Sequence, residues 1–213
     1  MVTINLNNKD GLKETMDSVF NQTCFNNIDY VIIDGGSTDG SRELIEQHAD
    51  KLHYWVSEPD GGIFNAFNKA IPHCNGDYTL FLNSGDKFHQ NDVVENAVPK
   101  LVRDICYGNE LKVGRRTYIA RFPDRLDEHF FKTSALPHQS LFLSTSYLKE
   151  HPFSTEWKIL GDWKQTREAI MVDKVSYKHL NFIISDYDLN GVSSINQNLF
   201  REEKTKYYEK INK

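Results

Sequence analysis

The feature that most constrains this chain is an alternation. Short apolar runs and helical stripes take turns four times within the first hundred residues. Val2–Leu6 reads as a strand, and Leu12, Met16, Val19 and Phe20 follow at the spacing of one helix face. Ile28–Ile33 is a second strand, rich in β-branched residues, with Leu44, Ile45 and His48 marking the helix after it. Leu52–Val56 precedes a stripe of Ile63, Phe64, Phe67 and Ile71. Asp77–Leu82 precedes Val93, Val94, Ala97, Val98 and Leu101. Asp10 and Asp39 are placed to cap the first two helices. Such a repeat predicts an α/β fold, a mostly parallel sheet with helices on both faces. Ligands of these sheets sit beyond the carboxyl ends of the strands. The polar segments 34–41, 57–62 and 83–86 all fall there, so one site built from three loops is expected.

From about residue 104 the pattern changes. Ile105–Asn109 and Arg116–Phe122 read as strands about a turn near Gly114, and Gln139–Leu143 as another. Asp162–Met171 reads as a helix with Trp163, Thr166, Ile170 and Met171 on one side. The tail from Asn196 is polar and lysine-rich, with Phe200, Tyr207, Tyr208 and Ile211 as anchors. No linker, repeat or low-complexity segment divides the 213 residues, which suit one domain with a short appendage. The organisation read from this is 1–103, 104–195 as a second half of the same domain, and a helical tail 196–213.

Charge and cysteine narrow the function. Lys plus Arg is 25 and Asp plus Glu is 30, a net charge of −5, which argues against wrapping duplex nucleic acid by charge alone. No apolar run approaches the ~20 residues of a membrane span. Met1 leads straight into the first strand with no basic leader, so no signal peptide is expected, though a few native residues could precede it. Cys24, Cys74 and Cys106 are odd in number and far apart, which argues against a disulfide framework or structural zinc and for the cytoplasm.

Several chemistries fail for want of their motif. The chain has no P-loop and no His-Glu-x-x-His, and the glycines at 35–40 lack dinucleotide spacing. A hydrolase elbow would need glycine where Asp39 stands. What remains is a set of carboxylates at strand ends, Asp34, Asp60 and Asp86, with Asp162 further on. Hard cations take oxygen ligands and commonly share one or two carboxylates with a substrate phosphate. This set therefore fits a nucleotide with a divalent metal. Taken singly, each residue also has an ordinary role: Asp34 and Asp60 in turns, Asp86 and Asp162 as caps, His138 as a satisfied structural histidine, Trp163 as core.

The ordered blocks resemble a known family. Val31-Ile32-Ile33-Asp34-Gly35-Gly36-Ser37-Thr38-Asp39-Gly40-Ser41 is similar to the first signature of family 2 glycosyltransferases of the GT-A fold. Ser57–Ala70, Gly76–Asp86, Pro137–Ser140, Gly161–Trp163 and Gly191–Ser194 resemble later blocks, in order. The likeness is nearest to the branch that builds bacterial capsule, O-antigen and colanic-acid-like polysaccharides. It implies a GT-A, Rossmann-like sheet with a smaller antiparallel and helical acceptor-side portion. It implies that Asp34, Gly35, Asp60, Asn83 and Ser84 hold a nucleotide-diphosphate sugar, with UDP placed first. Asp86 would bind Mn²⁺ or Mg²⁺ on the diphosphate, and Asp162 would be the general base. His138 and Trp163 would lie near the acceptor or the phosphates. The departures are Asn83-Ser84-Gly85-Asp86 for Asp-x-Asp-Asp, Gly161 where the family is usually acidic, and Gly35 where Asp is common.

The implied activity is inverting hexosyl transfer in surface polysaccharide synthesis, with a sugar or lipid-linked oligosaccharide as acceptor. That acceptor implies peripheral contact with the inner face of a membrane, for which Arg115, Arg116 and the basic tail (Arg201, Lys204, Lys206, Lys210, Lys213) offer charge. Two alternatives stand beside it: a sugar-phosphate nucleotidyltransferase, for which Asn5–Gly11 is a poor loop, and a catalytically degenerate nucleotide-sugar-binding protein.

Overall fold

A computed structural model describes residues 1–114, 116–189 and 196–211. The Gly191–Ser194 block, Arg115 and Lys213 lie outside the described residues. Three parallel strands, β1 (Val2–Asn5), β2 (Val31–Asp34) and β3 (Tyr54–Ser57), form the first sheet in that order. β2 is central and buried throughout, as a continuous β-branched run in a parallel sheet should be. Its side chains alternate between two cores. Val31 and Ile33 pack with Phe64, Ala66, Phe67 and Ala70 of α3 (Ile63–Ala70). Ile32 packs with Leu12, Met16 and Val19 of α1 (Lys9–Phe20) and with Leu44 and Ile45 of α2 (Ser41–Glu46). Helices thus cover both faces, as the alternation predicts.

The second sheet is mixed. It runs β4 (Tyr78–Thr79), β8 (Leu141–Ser144), β6 (Ile105–Val113), β9 (Tyr177–Asp188), β5 (Lys87–Phe88), with β7 (Tyr118–Ala120) on the free part of β6. Every pairing is antiparallel except β6 with β9. Around it lie α4 (Val93–Ala97), α5 (Glu128–Thr133), α6 (Thr145–Glu150), α7 (Gly161–Met171) and α8 (Gln197–Ile211).

One sequence expectation changes, and one strand has no counterpart in the sequence reading. Asp77–Leu82 is not one strand of one sheet. Tyr78 and Thr79 pair with β8, and then Phe81 bridges Val2 while Leu82 N–H donates to Val2 O at 2.8 Å. This segment stitches the two sheets together and brings Asn83–Asp86 to the carboxyl end of β1. The 12-residue β9 has no clean alternation, because Lys178, His179 and Asn181 interrupt its apolar residues. Asn181 takes a left-handed φ of 55°, and the β6–β9 register shifts around Asn109.

The first helix is capped by Asn8, whose side chain accepts from Gly11 N–H, while Asp10 sits in the first turn. Asp39 does act at helix starts. It accepts from the Ser41 N–H and hydroxyl at one oxygen and from Lys9 N–H at the other. Thr15, buried on α1, is the staple of the 83–86 turn. Its Oγ1 lies 2.7 Å from Asp86 O and 3.2 Å from Asn83 O, and it accepts from Gly85 N–H at 3.0 Å. Thr15→Val removes the acceptor of Gly85 N–H and the hydroxyl beside Asp86 O, so urea unfolding should show a loss of about 1–3 kcal/mol. A stability within experimental error of wild type would remove Thr15 from this role.

Candidate active site

The carboxyl ends of the parallel strands are organised by one row of residues. Asn5, Asp34 and Ser57 are register partners at the ends of β1, β2 and β3. The Asp34 carboxylate, 0 % exposed, accepts from Asn5 Nδ2 at 2.8 Å, Ser57 Oγ at 2.6 Å, Ser37 Oγ at 2.6 Å and Ser37 N–H at 2.9 Å. Burial alone would raise its pKa. The hydrogen bonds from Ser37, Ser57 and Asn5 outweigh burial and hold it below the usual carboxylate range. Asp34 therefore lies inside the floor of the site. Its partners Asn5, Ser37 and Ser57 were not singled out by sequence, although a parallel register would have placed Asn5 and Ser57 beside it.

Asp60 reaches the same place from the loop after β3. One of its oxygens accepts from Gly62 N–H at 2.8 Å, and the other lies 3.1 Å from where a Cβ on Gly35 would stand. The glycine at 35 thus makes room for Asp60, and an aspartate there would set two carboxylates against each other. Ser84 meets the start of α1, with its carbonyl accepting from Asn8 Nδ2 at 3.1 Å and its N–H donating to Ile4 O. The loops at 34–41, 57–62 and 83–86 therefore converge as expected.

The second half of the chain supplies a polar line. His138, in a 3-10 turn ahead of β8, donates from Nδ1 to Asp162 Oδ2 at 2.9 Å. Its Nε2 lies 3.0 Å from the Asn83 amide. Asp162 sits in the first turn of α7, where a helix N-terminus favours an anion. Its Oδ1 accepts from Trp163 N–H at 2.7 Å, and its side chain is 23 % exposed. Burial works against a His138 cation. The Asp162 carboxylate, with Asp86 and Glu110 nearby, outweighs burial and raises the imidazole above its ordinary value. An amide can offer either end to Nε2, donating to neutral imidazole or accepting from imidazolium. Accepting also gives the buried Asn83 Oδ1 the partner it otherwise lacks.

Glu110 was not legible from sequence. It is buried on β6, takes hydrogen bonds from Gln139 Nε2 and Lys112 Nζ at 3.1 Å each, and is raised by burial. Trp163 is core rather than an acceptor surface. It is 1 % exposed and donates its indole N–H to Phe131 O and Ser134 O. Gly161 faces the Phe64 ring, whose nearest atoms stand 2.7 Å from where a Cβ on residue 161 would lie, so the acidic side chain usual in the family has no room. Asp86 is buried on the stitched turn, and among the described residues no three His, Cys, Asp or Glu side chains converge into a metal-binding group. A single carboxylate fits a hard cation only in the company of diphosphate oxygens and water.

Two cavities lie at opposite ends of the strands. One of about 320 Å³ adjoins the 83–86 turn, between Asn8, Glu14, Gly85, Lys87 and Asp186. The other, about 550 Å³, opens at the opposite, amino ends of the strands, beside Cys24, Asp77, Glu95 and Phe142. None of the candidate site residues lines the larger cavity.

Residues 1–153 match the family described as glycosyl transferase family 2. An uncharacterised glycosyltransferase of Mycobacterium tuberculosis is 31% identical over 202 residues, which cover 91% of this chain and 76% of the relative. A PGL/p-HBAD biosynthesis glycosyltransferase of Mycobacterium bovis is 23% identical over 192 residues, 86% of this chain and 74% of the relative. Crystalline S. aureus TarS 1–349 in complex with UDP-GlcNAc has a TM-score of 0.71 at 18% identity, covering 88% of this chain and 57% of that fragment. The mannosyltransferase PcManGT from Pyrobaculum calidifontis, in complex with GDP-Man and Mn²⁺, has a TM-score of 0.65 at 17% identity, covering 87% and 55%. This chain spans little more than half of each crystallised protein, and the likeness shows a GT-A-like α/β fold.

Two outcomes follow from the geometry. Asp34 is depressed when folded, so its contribution is present above the ordinary value of ~3.9 and is lost as pH falls through the folded value. Acid unfolding of Asp34→Asn should start from lower stability and change less across that window; a parallel offset at every pH would contradict it. Gly161→Ala overpacks Phe64 and should cost about 1–3 kcal/mol in urea unfolding, restored in part by Phe64→Leu. A neutral Gly161→Ala would contradict the packing.

Proposed function

The chain belongs to glycosyl transferase family 2, and on that premise we propose that it moves a sugar, with inversion, from a nucleotide-diphosphate sugar to an acceptor hydroxyl in bacterial surface polysaccharide synthesis. The observation that carries this reading is the line Asn83–His138–Asp162. It sets one carboxylate, on α7, across from the turn that would hold a diphosphate. The nucleotide sugars bound to TarS and PcManGT support a donor of this class, with UDP placed first.

The roles follow the placement. Residues 1–103 form the donor half and 104–195 the acceptor half. Asp60, Gly35 and Ser84 face the nucleotide, and Asp34 holds the strand ends that shape its floor. The acceptor hydroxyl attacks the anomeric carbon. Its O–H bond breaks as the new C–O bond forms, and Asp162 takes the proton. Both Asp162 oxygens already accept one hydrogen bond, and each keeps a lone pair for it. The bond from the anomeric carbon to phosphate breaks, and its electron pair leaves with the nucleoside diphosphate. His138 holds Asp162 in place. A divalent ion, Mn²⁺ or Mg²⁺, brought with the diphosphate and held by Asp86, would offset the charge of the leaving group.

No helix among the described residues is long and apolar enough to cross a membrane. We place the protein in the cytoplasm, at a membrane face that carries a lipid-linked acceptor. The basic tail is a weaker membrane contact than its sequence suggests. Lys204 lies over the Trp163 ring, pushed down to about 8 by burial, and Lys210 pairs with Glu156. The β6–β7 hairpin offers a better surface, with Tyr118 and Ile119 exposed beside Arg116.

Asp162→Asn should lower transfer by about 10²–10⁴-fold, the usual worth of a positioned base, with donor affinity unchanged. Undiminished turnover would remove the base role from Asp162, whereas a wild type that binds nucleotide sugar and turns over none would return the chain to the degenerate-binder reading. Arg116→Glu with Tyr118→Ser should reduce flotation with anionic liposomes, while Arg201→Glu with Lys206→Glu, at exposed positions of the tail, should not; the reverse pattern would restore the tail.

A further inference from the structure

We infer that Glu203, on the C-terminal helix α8, is a positioning residue for the Asp162 base; this rests on the assignment of Asp162 proposed above. Glu203 is buried, and its carboxylate accepts three successive backbone N–H groups. Lys158 N–H donates to Oε1 at 2.9 Å, and Ile159 and Leu160 N–H donate to Oε2 at 3.1 and 3.0 Å. Those residues immediately precede Gly161 and Asp162. Leu160 then passes the constraint on, because its carbonyl accepts from Lys164 N–H at 2.8 Å at the opening of α7. Gly161 is pressed against Phe64 on the other side. The backbone entering Asp162 is therefore fixed from α8 and from α3 at once, and the side chain that leaves it meets His138.

The rest of α8 grips α7 along its length. Tyr207 OH accepts from Arg167 Nη1 at 2.9 Å and donates to Glu168 Oε1 at 3.1 Å. Arg167 in turn holds Glu128 of α5 through two nitrogens, at 2.7 and 3.2 Å. The Trp163 and Tyr207 rings meet edge to face at 5.3 Å. These contacts would keep α8 docked without Glu203. What the carboxylate adds is local, a set of acceptors for three donors at the one point where the loop becomes the base-bearing helix. The family match ends at residue 153, so this brace and Asp162 both lie in the part of the chain beyond it.

The test compares Glu203→Gln and Glu203→Ala with wild type and with Asp162→Asn. Hydrogen exchange at amides 158–160 should rise about tenfold or more in Glu203→Ala, less in the isosteric Gln variant, with β1–β3 unchanged. Nucleoside diphosphate release is then followed from UDP-glucose, UDP-N-acetylglucosamine and GDP-mannose with Mn²⁺. A displaced base costs rate rather than donor binding, so kcat should fall by about tenfold or more while KM for the donor holds. Exchange at 158–160 unchanged in Glu203→Ala would overturn the inference, as would unchanged kcat in a folded variant. Full turnover in Asp162→Asn would instead overturn the base assignment itself. Loss in Asp162→Asn with none in Glu203→Ala would sink only the brace.

Discussion

The site depends first on a buried charge. A carboxylate out of water is costly unless hydrogen bonds replace its hydration. Asp34 meets that demand with donors from three sources: Asn5 on β1, Ser57 on β3 and Ser37 in its own turn. The bonds run across the sheet, so they fix where all three strands stop. The loops after them therefore leave at one level, and Asp60 can come back to Gly35. A turn residue at 34 without these partners would leave the same loops free to diverge.

The second dependence is between halves of the chain. Asn83 comes from the segment stitched to β1, His138 from the approach to β8, and Asp162 from α7. Each is held by its own neighbours before they meet: the 83–86 turn by Thr15, the entry to α7 by Glu203 and Phe64. His138 is the only one of the three that touches both others. Its raised basicity and the two-faced amide of Asn83 suit each other, which gives a physical sense to an asparagine where the family usually has aspartate. Gly35 and Gly161 have a similar logic, since Asp60 and the Phe64 ring fill the space a side chain would take.

Much of the donor half was legible, because its elements are local and periodic. The stripe Leu12, Met16, Val19 marks α1, and the run ending in Asp34 marks β2. The loops converge because parallel strands put their carboxyl ends together. The acceptor half was less legible. β9 is held by pairing with β6 over a long separation, and its bulge at Asn181 breaks the alternation that would announce it. Trp163 shares a face with core residues, yet its neighbour Asp162 meets His138, and only the turn of α7 separates those fates. Glu203 reads as one charge in a polar tail. Its burial follows from docking against α7, which no local pattern encodes.

The site described above requires the nucleotide to bind at the carboxyl ends of the parallel strands, and not in the larger cavity at their amino ends. A crystal structure of the full chain with UDP or GDP and Mn²⁺ tests this most directly. The base and ribose are expected over Gly35 and Asp60, and the diphosphate against Asn83–Asp86 on the side facing His138. A nucleotide lodged beside Cys24, Asp77 and Phe142, or none bound at saturating concentration, would contradict it.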